Sequence, residues 1–358
     1  NWGTPGRWKI DKQYEKPVAQ ANENGAISSI YNNWSAFPYS LKTVASDSLD
    51  SYLGDWNGAA MVKSVQDCVL FHADQLLAEG KIGGIYCDDS WPQASTNVLN
   101  KTAYLLENGD VQPGFAILKQ REYCKRVAHM LEKHGKRPGL WIHDTHALMV
   151  PYLAFADVSM DGEDHPVSEL SNDFIDQWSF ERLRAGARGT KIGTIPFWLP
   201  LVRANPRTTD PAIITKLSRT MIGPLMLHDY ITYYTWAGWD KETVSTLQKV
   251  KLDFGIGDDS VTFHPYWNNA NEVQSSSEDI YASFYRNKQT LLVTVVNKSR
   301  RDENAVLTLN TSKLGLSDPV VINTETGESI LCKDGKVSFE LPYHDFALLK
   351  ITDRTAGR

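Results

Sequence analysis

Between Asn57 and Leu252 the chain repeats one theme: an amphipathic helical stretch, a short apolar run, then acids or histidines where the run ends. Asn57 is placed to cap a helix over Gly58–Glu79, with Met61, Val62, Val65, Val69, Leu76 and Leu77 on its buried side and Gly80 to stop it. The run 84–87 reads as a strand leading into Asp88 and Asp89. A second helix, Ile117–Lys133, precedes the run 139–142, which ends in His143-Asp144-Thr145-His146. The run 158–160 ends in Asp161-Gly162-Glu163-Asp164. A helix over 180–187 precedes a strand over 192–198, and a helix over 211–221 precedes a strand over 225–227 that ends in His228-Asp229. Ile27–Tyr31 reads as an earlier strand, and Glu242–Leu252 as the last helix of the series. Helix and strand alternating through short connections imply a parallel sheet. Polar residues gathered at the C-terminal ends of the strands imply an α/β fold of the (β/α)8-barrel type, because such barrels build their sites there. About six strands are legible where a closed barrel has eight. The barrel is therefore expected to be N-terminally incomplete, or to hold its first units in Trp2–Tyr31. The chain starts at Asn1-Trp2-Gly3, which reads as a piece of a longer protein with an upstream N-terminal domain.

From Val261 the periodicity changes to two. Segments 280–285, 290–296, 305–309, 320–323, 336–341 and 346–351 alternate, with turn sequences such as Arg286-Asn287-Lys288 and Lys333-Asp334-Gly335 between them. The expected organisation is a (β/α)-barrel catalytic domain over 1–260 and an all-β C-terminal sandwich over 261–358. A formal net charge of -6 with no basic stripe argues against nucleic acid as a partner. No apolar run is long enough for a membrane span. Cys68, Cys87, Cys124 and Cys332 lack metal-ligand spacing and read as buried thiols. The sequence has no Gly-x-Gly-x-x-Gly, no phosphate loop and no Gly-x-Ser-x-Gly elbow, and no cofactor is expected.

The acid clusters carry the chemistry. Asp88 and Asp89 stand directly after a buried strand. Burial disfavours charge, and two close carboxylates raise one pKa, so such a pair yields a proton donor beside an anion at neutral pH. The plainer alternative is a loop-capping Asp with its neighbour in solvent. In the second cluster Gly162 permits a sharp turn, and Asp161 and Glu163 share a parity, so they point the same way if strand geometry persists. Ordinary surface acids are the alternative there. The two clusters flank the His143 strand and can face each other across a barrel mouth, as the paired carboxylates of glycoside cleavage. Asp88, Asp89, Asp161 and Glu163 are the candidate catalytic residues.

His143, Asp144, His146, His228 and Asp229 are candidates for binding sugar hydroxyls. Eleven Trp and fifteen Tyr suit a site that stacks on pyranose faces, and Trp91 and Trp198, after or at strand ends, are the candidate platforms. Packing is the alternative for both, and the favoured reading for Tyr86 and Trp141 within their strands. Two other functions stay open: a metal-dependent hydrolase at His143, Asp144 and His146, although this spacing on a strand does not align two rings, and a non-catalytic glycan-binding protein.

The runs Tyr86-Cys87-Asp88-Asp89, Trp141-Ile142-His143-Asp144-Thr145-His146, 155–163 and Leu227-His228-Asp229-Tyr230 resemble bacterial glycoside-hydrolase-like proteins related to glycoside hydrolase family 123. The resemblance covers 84–351. It implies an N-terminal β-sandwich, a barrel and a C-terminal β-domain, and polysaccharide degradation in the periplasm or outside the cell. In that family an adjacent Asp-Glu pair works together: the Asp orients a substrate acetamido group and the Glu is the acid/base. Asp88 and Asp89 match these positions, with Asp89 one methylene shorter than Glu. A second resemblance is to α-galactosidase-like barrels, with an Asp nucleophile after strand four and an acid/base Asp after strand six. Counting back from Leu225 as strand eight places Asp88 and Asp161 there. The expected function is a glycosidase that removes a terminal sugar from a complex glycan.

Overall fold

From Gly84 to Asp161 the strand–helix repeat is written in the burial of alternate residues. The computed structural model describes residues 16, 19–20, 23, 29–33, 63–88, 90, 94–99, 101–143, 149–168, 173–189, 193–202, 210–232 and 238–354. The chain divides into two compact units, Asn1–Asp164 with Thr190–Phe197, and His165–Gly189 with Trp198–Arg358.

The first unit contains, in chain order, strand β1 (Ser29–Asn33), helix α1 (Lys63–Ala78), strand β2 (Gly84–Asp88), the short strands β3 (Tyr104–Leu105) and β4 (Val111–Gln112), helix α2 (Ile117–Lys133), strand β5 (Leu140–His143), helix α3 (Val150–Leu153), strand β6 (Val158–Asp161) and strand β7 (Ile195–Trp198), whose last residue belongs to the second unit. Its main sheet runs in the order β1-β2-β5-β6-β7, and β1–β2, β2–β5 and β5–β6 are parallel. The early strand read at 27–31 is therefore present as β1. Asn57, the predicted cap, lies outside the described residues.

In β2, Ile85 and Cys87 are buried, and Tyr86 and Asp88 take the other face. In β5, Leu140 and Ile142 are fully buried and Trp141 is partly exposed. Ile85, Cys87, Leu140 and Ile142 form one core with Val69, Ala73 and Leu77 of α1 and Cys124, Val127 and Leu131 of α2. Each large apolar side chain sealed there contributes about 1.5–3 kcal/mol. The four cysteines form no disulfide; Cys87 and Cys124 lie in this core, whereas Cys68 and Cys332 are only half-buried.

Three features set the start of β2 and β5. A Cβ on Gly84 would lie 2.5 Å from the Gly139 carbonyl, and one on Gly139 would lie 2.7 Å from the Gly83 carbonyl, so the two chains approach where only glycine fits. Asp157, buried before β6, accepts from the Gly139 and Leu140 amides at 2.7 and 2.9 Å and from Arg137 Nε at 2.8 Å.

The second unit contains helices α4 (Phe174–Gln177) and α5 (Phe180–Arg184), a π-helical turn (Ala185–Gly189), helix α6 (Pro211–Leu227), strand β8 (Ile231–Thr232) and helix α7 (Lys241–Phe254). Strands β9 (Val261–His264), β10 (Val273–Ser275), β11 (Ile280–Asn287), β12 (Thr290–Asn297) and β13 (Glu303–Leu309) follow, then helix α8 (Thr311–Leu314) and strands β14 (Pro319–Asn323), β15 (Ser329–Ile330), β16 (Cys332–Lys333), β17 (Lys336–Leu341) and β18 (Phe346–Asp353). These strands form a six-stranded sheet, β15-β14-β18-β12-β11-β9, and a four-stranded sheet, β10-β13-β17-β16. Both sheets line one core, with Phe284, Leu291, Val293 and Leu349 from the first and Val273, Leu307, Val337 and Leu341 from the second. The six period-two strands read after 261 are therefore present, together with the short strands β9, β10, β15 and β16.

One predicted strand is absent. Leu225-Met226-Leu227 is the last turn of α6, which Asp210 caps by accepting from the Ala212 amide at 2.9 Å, with Pro211 at its first position. Every residue from Thr220 to Leu227 is buried, so no helical stripe survives in the sequence and the run looks like a buried strand. Gly223 lets the helix lie close on β18: a Cβ there would meet Phe346 Cβ at 2.9 Å. The change of periodicity at 261 falls inside a shared core, since Met221, Ile222, Leu225 and Val244 pack with Tyr285, Leu292, Val296, Phe346 and Leu348.

Replacing Asp157 by Ala strands two buried amides and Arg137. The variant is expected to lose about 3 kcal/mol of stability, read as a lower urea midpoint with an unchanged slope.

Candidate active site

The parallel register that seals the first unit's core also assembles its site. Tyr86 pairs with Trp141 and Cys87 with Ile142, so the next step brings Asp88 level with His143. Asp88 Oδ1 lies 2.6 Å from His143 Nδ1. The Tyr86 hydroxyl donates to the same oxygen at 3.3 Å and lies 3.0 Å from His143 Nδ1. On the far side of the ring, His143 Nε2 is 3.4 Å from Glu163 Oε2. His143 is buried, Asp88 is largely covered, and the Glu163 side chain is 45% exposed. The cluster is thus an imidazole with a carboxylate at each nitrogen, closed to water at the Asp88 end and open at the Glu163 end. The Trp141 ring, 5.3 Å from that of Phe197, lies along the same face of the sheet.

Glu163 reaches this face because the strand stops. His143 pairs with Met160 across β5–β6, so alternation turns Asp161 to the opposite face. Gly162 then takes a φ of 108°, a conformation suited to glycine, and its amide donates to Asp161 Oδ1 at 2.7 Å. The shared parity read for Asp161 and Glu163 does not survive this bend. The barrel count that paired Asp88 with Asp161 also falls, because it started from Leu225, which is helical.

Asp89, Trp91, Asp144 and His146 lie outside the described residues. Among the described residues, no group of three or more His, Cys, Asp or Glu is placed to hold a metal ion. Tyr86, read from sequence as packing, is the site residue the sequence reading missed. The available signal was its parity with Asp88 on the face opposite Ile85 and Cys87.

The remaining candidates sit in the second unit. His228 is fully buried. Its Nδ1 lies 2.7 Å from the Pro224 carbonyl, which only accepts, so that nitrogen carries the proton and Nε2 accepts from the Tyr266 hydroxyl at 3.3 Å. Burial lowers its pKa to about 4. Both nitrogens are engaged by protein, and the expected hydroxyl-binding role gives way to a structural one. Trp198 is also fully buried, edge-on to Phe174, Trp178 and Tyr230, and offers no platform. Asp229, at a φ of 64°, accepts from the Tyr285 hydroxyl at 2.6 Å and ties the end of α6 to β11.

Residues 243–326 match the model of the glycoside hydrolase 123 C-terminal domain. That segment, less than half of the chain, matches a domain of the family that the chain's motifs resemble. No curated protein matches the chain. Among solved structures it is similar to a noncanonic maltogenic α-amylase, AmyB, from Thermotoga neapolitana, with 11% identity, a TM-score of 0.56, and coverage of 96% of this chain and 83% of that one. It is similar to α-galactosidase I from Mortierella vinacea at 11% identity and a TM-score of 0.53, covering 95% and 80%. A GH27 β-L-arabinopyranosidase from Geobacillus stearothermophilus aligns at 14% identity and a TM-score of 0.46, over 81% of this chain and 62% of that one. The chain thus spans less than two thirds of that protein's length. The amylase and galactosidase likenesses establish a shared mixed α/β fold with a C-terminal β-sheet domain.

The buried neutral His228 has a pH consequence. Its folded pKa lies below the unfolded value, so the unfolded chain binds more protons between about pH 6.5 and 4, and stability falls as pH falls through that window. His228→Gln is expected to remove up to about 3 kcal/mol of this acid sensitivity, measured as a smaller loss of urea midpoint between pH 7 and pH 4.5.

Proposed function

We propose that this chain is a glycosidase that removes a terminal sugar from a complex glycan. Asp88 and Glu163 are its working carboxylates, at the C-terminal ends of strands in a (β/α)-barrel-type sheet. The observation that carries the reading is His143 held between the two acids. An ionised carboxylate only accepts, and an imidazole has two nitrogens, so both contacts are attractive only when the three groups share two protons. With one on Nδ1 facing Asp88, the other lies between Nε2 and Glu163. The Glu163 end then holds a transferable proton in reach of solvent, and the Asp88 end holds an oriented anion.

Glycoside cleavage uses that division of labour. Glu163 passes its proton to the glycosidic oxygen as the bond from that oxygen to the anomeric carbon breaks. Asp88 stabilises the positive charge that develops on the sugar. Water adds its hydroxyl to the anomeric carbon and returns a proton to the carboxylate.

The match to a glycoside-hydrolase C-terminal domain supports the reading, as does the fold shared with glycosidases. Asp88 also stands where the family motif places its orienting Asp. The same resemblance supports a 1–260 catalytic segment and action in the periplasm or outside the cell, on a carbohydrate and without a cofactor. Among the described residues no helix is long and apolar enough to cross a membrane.

Asp88→Asn and Glu163→Gln are expected to lower kcat/KM at least about a hundredfold on a panel of aryl glycosides, with the fold intact by circular dichroism. Turnover within twofold of the parent in both variants would remove the reading.

A further inference from the structure

Among the described residues of the cluster, the hydroxyl of Tyr86 is the group that the proposed chemistry does not use. We propose that Tyr86 is a positioning residue: by donating to Asp88 it holds the Asp88–His143–Glu163 array in the arrangement that leaves the transferable proton at Glu163. This rests on the glycosidase reading above.

Two protons satisfy both contacts of His143 in three ways. In two of them Asp88 is ionised and Nδ1 carries a proton, with the second proton on Glu163 or on Nε2 of an imidazolium. In the third, Asp88 is the acid, Nδ1 is bare, and Nε2–H faces an ionised Glu163. Only the first two place an acidic proton at the exposed end, where a glycosidic oxygen can reach it. Tyr86 Oη lies 3.3 Å from the same Asp88 oxygen that meets Nδ1, and 3.0 Å from Nδ1 itself. A phenol that donates to Asp88 stabilises its ionised form, and its oxygen can accept only from a protonated Nδ1, so both contacts disfavour the third arrangement.

Tyr86 is well held for this task. It sits two residues before Asp88 on one face of β2, and its ring is 6.2 Å from that of His143. The titratable groups in contact within the array, among the described residues, are Tyr86 and Asp88 on β2, His143 on β5 and Glu163 after β6. From β1 the register sets Tyr31 beside Tyr86 and Asn33 beside Asp88.

The test is Tyr86→Phe, assayed with a 4-nitrophenyl glycoside and the methyl glycoside of the same sugar. Without the hydroxyl, the ionised form of Asp88 loses a donor, and a larger share of the array holds its acidic proton at the buried Asp88 end, out of reach of the glycosidic oxygen. The methyl glycoside, whose leaving group needs protonation, should lose about ten- to a hundredfold in kcat, with KM nearly unchanged. The nitrophenyl glycoside should lose far less. Replacing Tyr86 by 3-fluorotyrosine, which keeps the ring and a donating hydroxyl, should leave the methyl-glycoside kcat within about threefold of the parent, and it tests the idea even if the Phe variant folds poorly. Equal losses on both substrates in the Phe variant, or a methyl-glycoside loss with 3-fluorotyrosine as large as that expected of Phe, overturns the proposal. If Asp88→Asn and Glu163→Gln abolish turnover while Tyr86→Phe behaves as the parent, the glycosidase reading stands and this inference alone falls.

Discussion

One register decides both what holds the first unit together and what its site can do. Cys87 opposite Ile142 closes the core against α1 and α2, and the same alignment brings Asp88 level with His143. In a sheet with one apolar face, a slip by one residue would turn every side chain of β2 over. The burial of Ile85, Cys87, Leu140 and Ile142 therefore opposes any register in which the acid and the histidine part. The close approach at Gly84 and Gly139 and the Asp157 clamp act at the other end of the strands, and they fix the same alignment from below.

The two buried histidines show how far surroundings govern one side chain. His143 faces a carboxylate at each nitrogen. His228 faces a carbonyl and a phenol amid aromatic rings, and burial keeps it neutral well into the acid range. From sequence the two look alike, each at the end of an apolar run and each followed by Asp.

Their likeness marks the limit of what periodicity can reveal. The alternation in β2, the helices over 117–133 and 241–254, and the period-two strands β13 and β17 are legible because each has one wet and one dry side; β12, between two cores, is buried on both faces. Leu225–Leu227 was misread because that turn of α6 is buried all round and presents no contrast. Asp161 and Glu163 were paired by parity, and a single left-handed glycine between them breaks the count. Tyr86 was assigned to packing because a tyrosine within a strand usually packs. Its hydroxyl acquires a role only from His143, 57 residues away, whose position comes from strand pairing.

The joint core of α6, α7 and the six-stranded sheet bears on how such proteins are assembled by recombination. Tyr285, Leu292, Val296, Phe346 and Leu348 are covered by residues that precede position 261. A gene fusion that carried only the β-sandwich would leave that apolar face open to solvent and to self-association. The segment that can be inherited as a working module is longer than the sandwich and includes the helices before it.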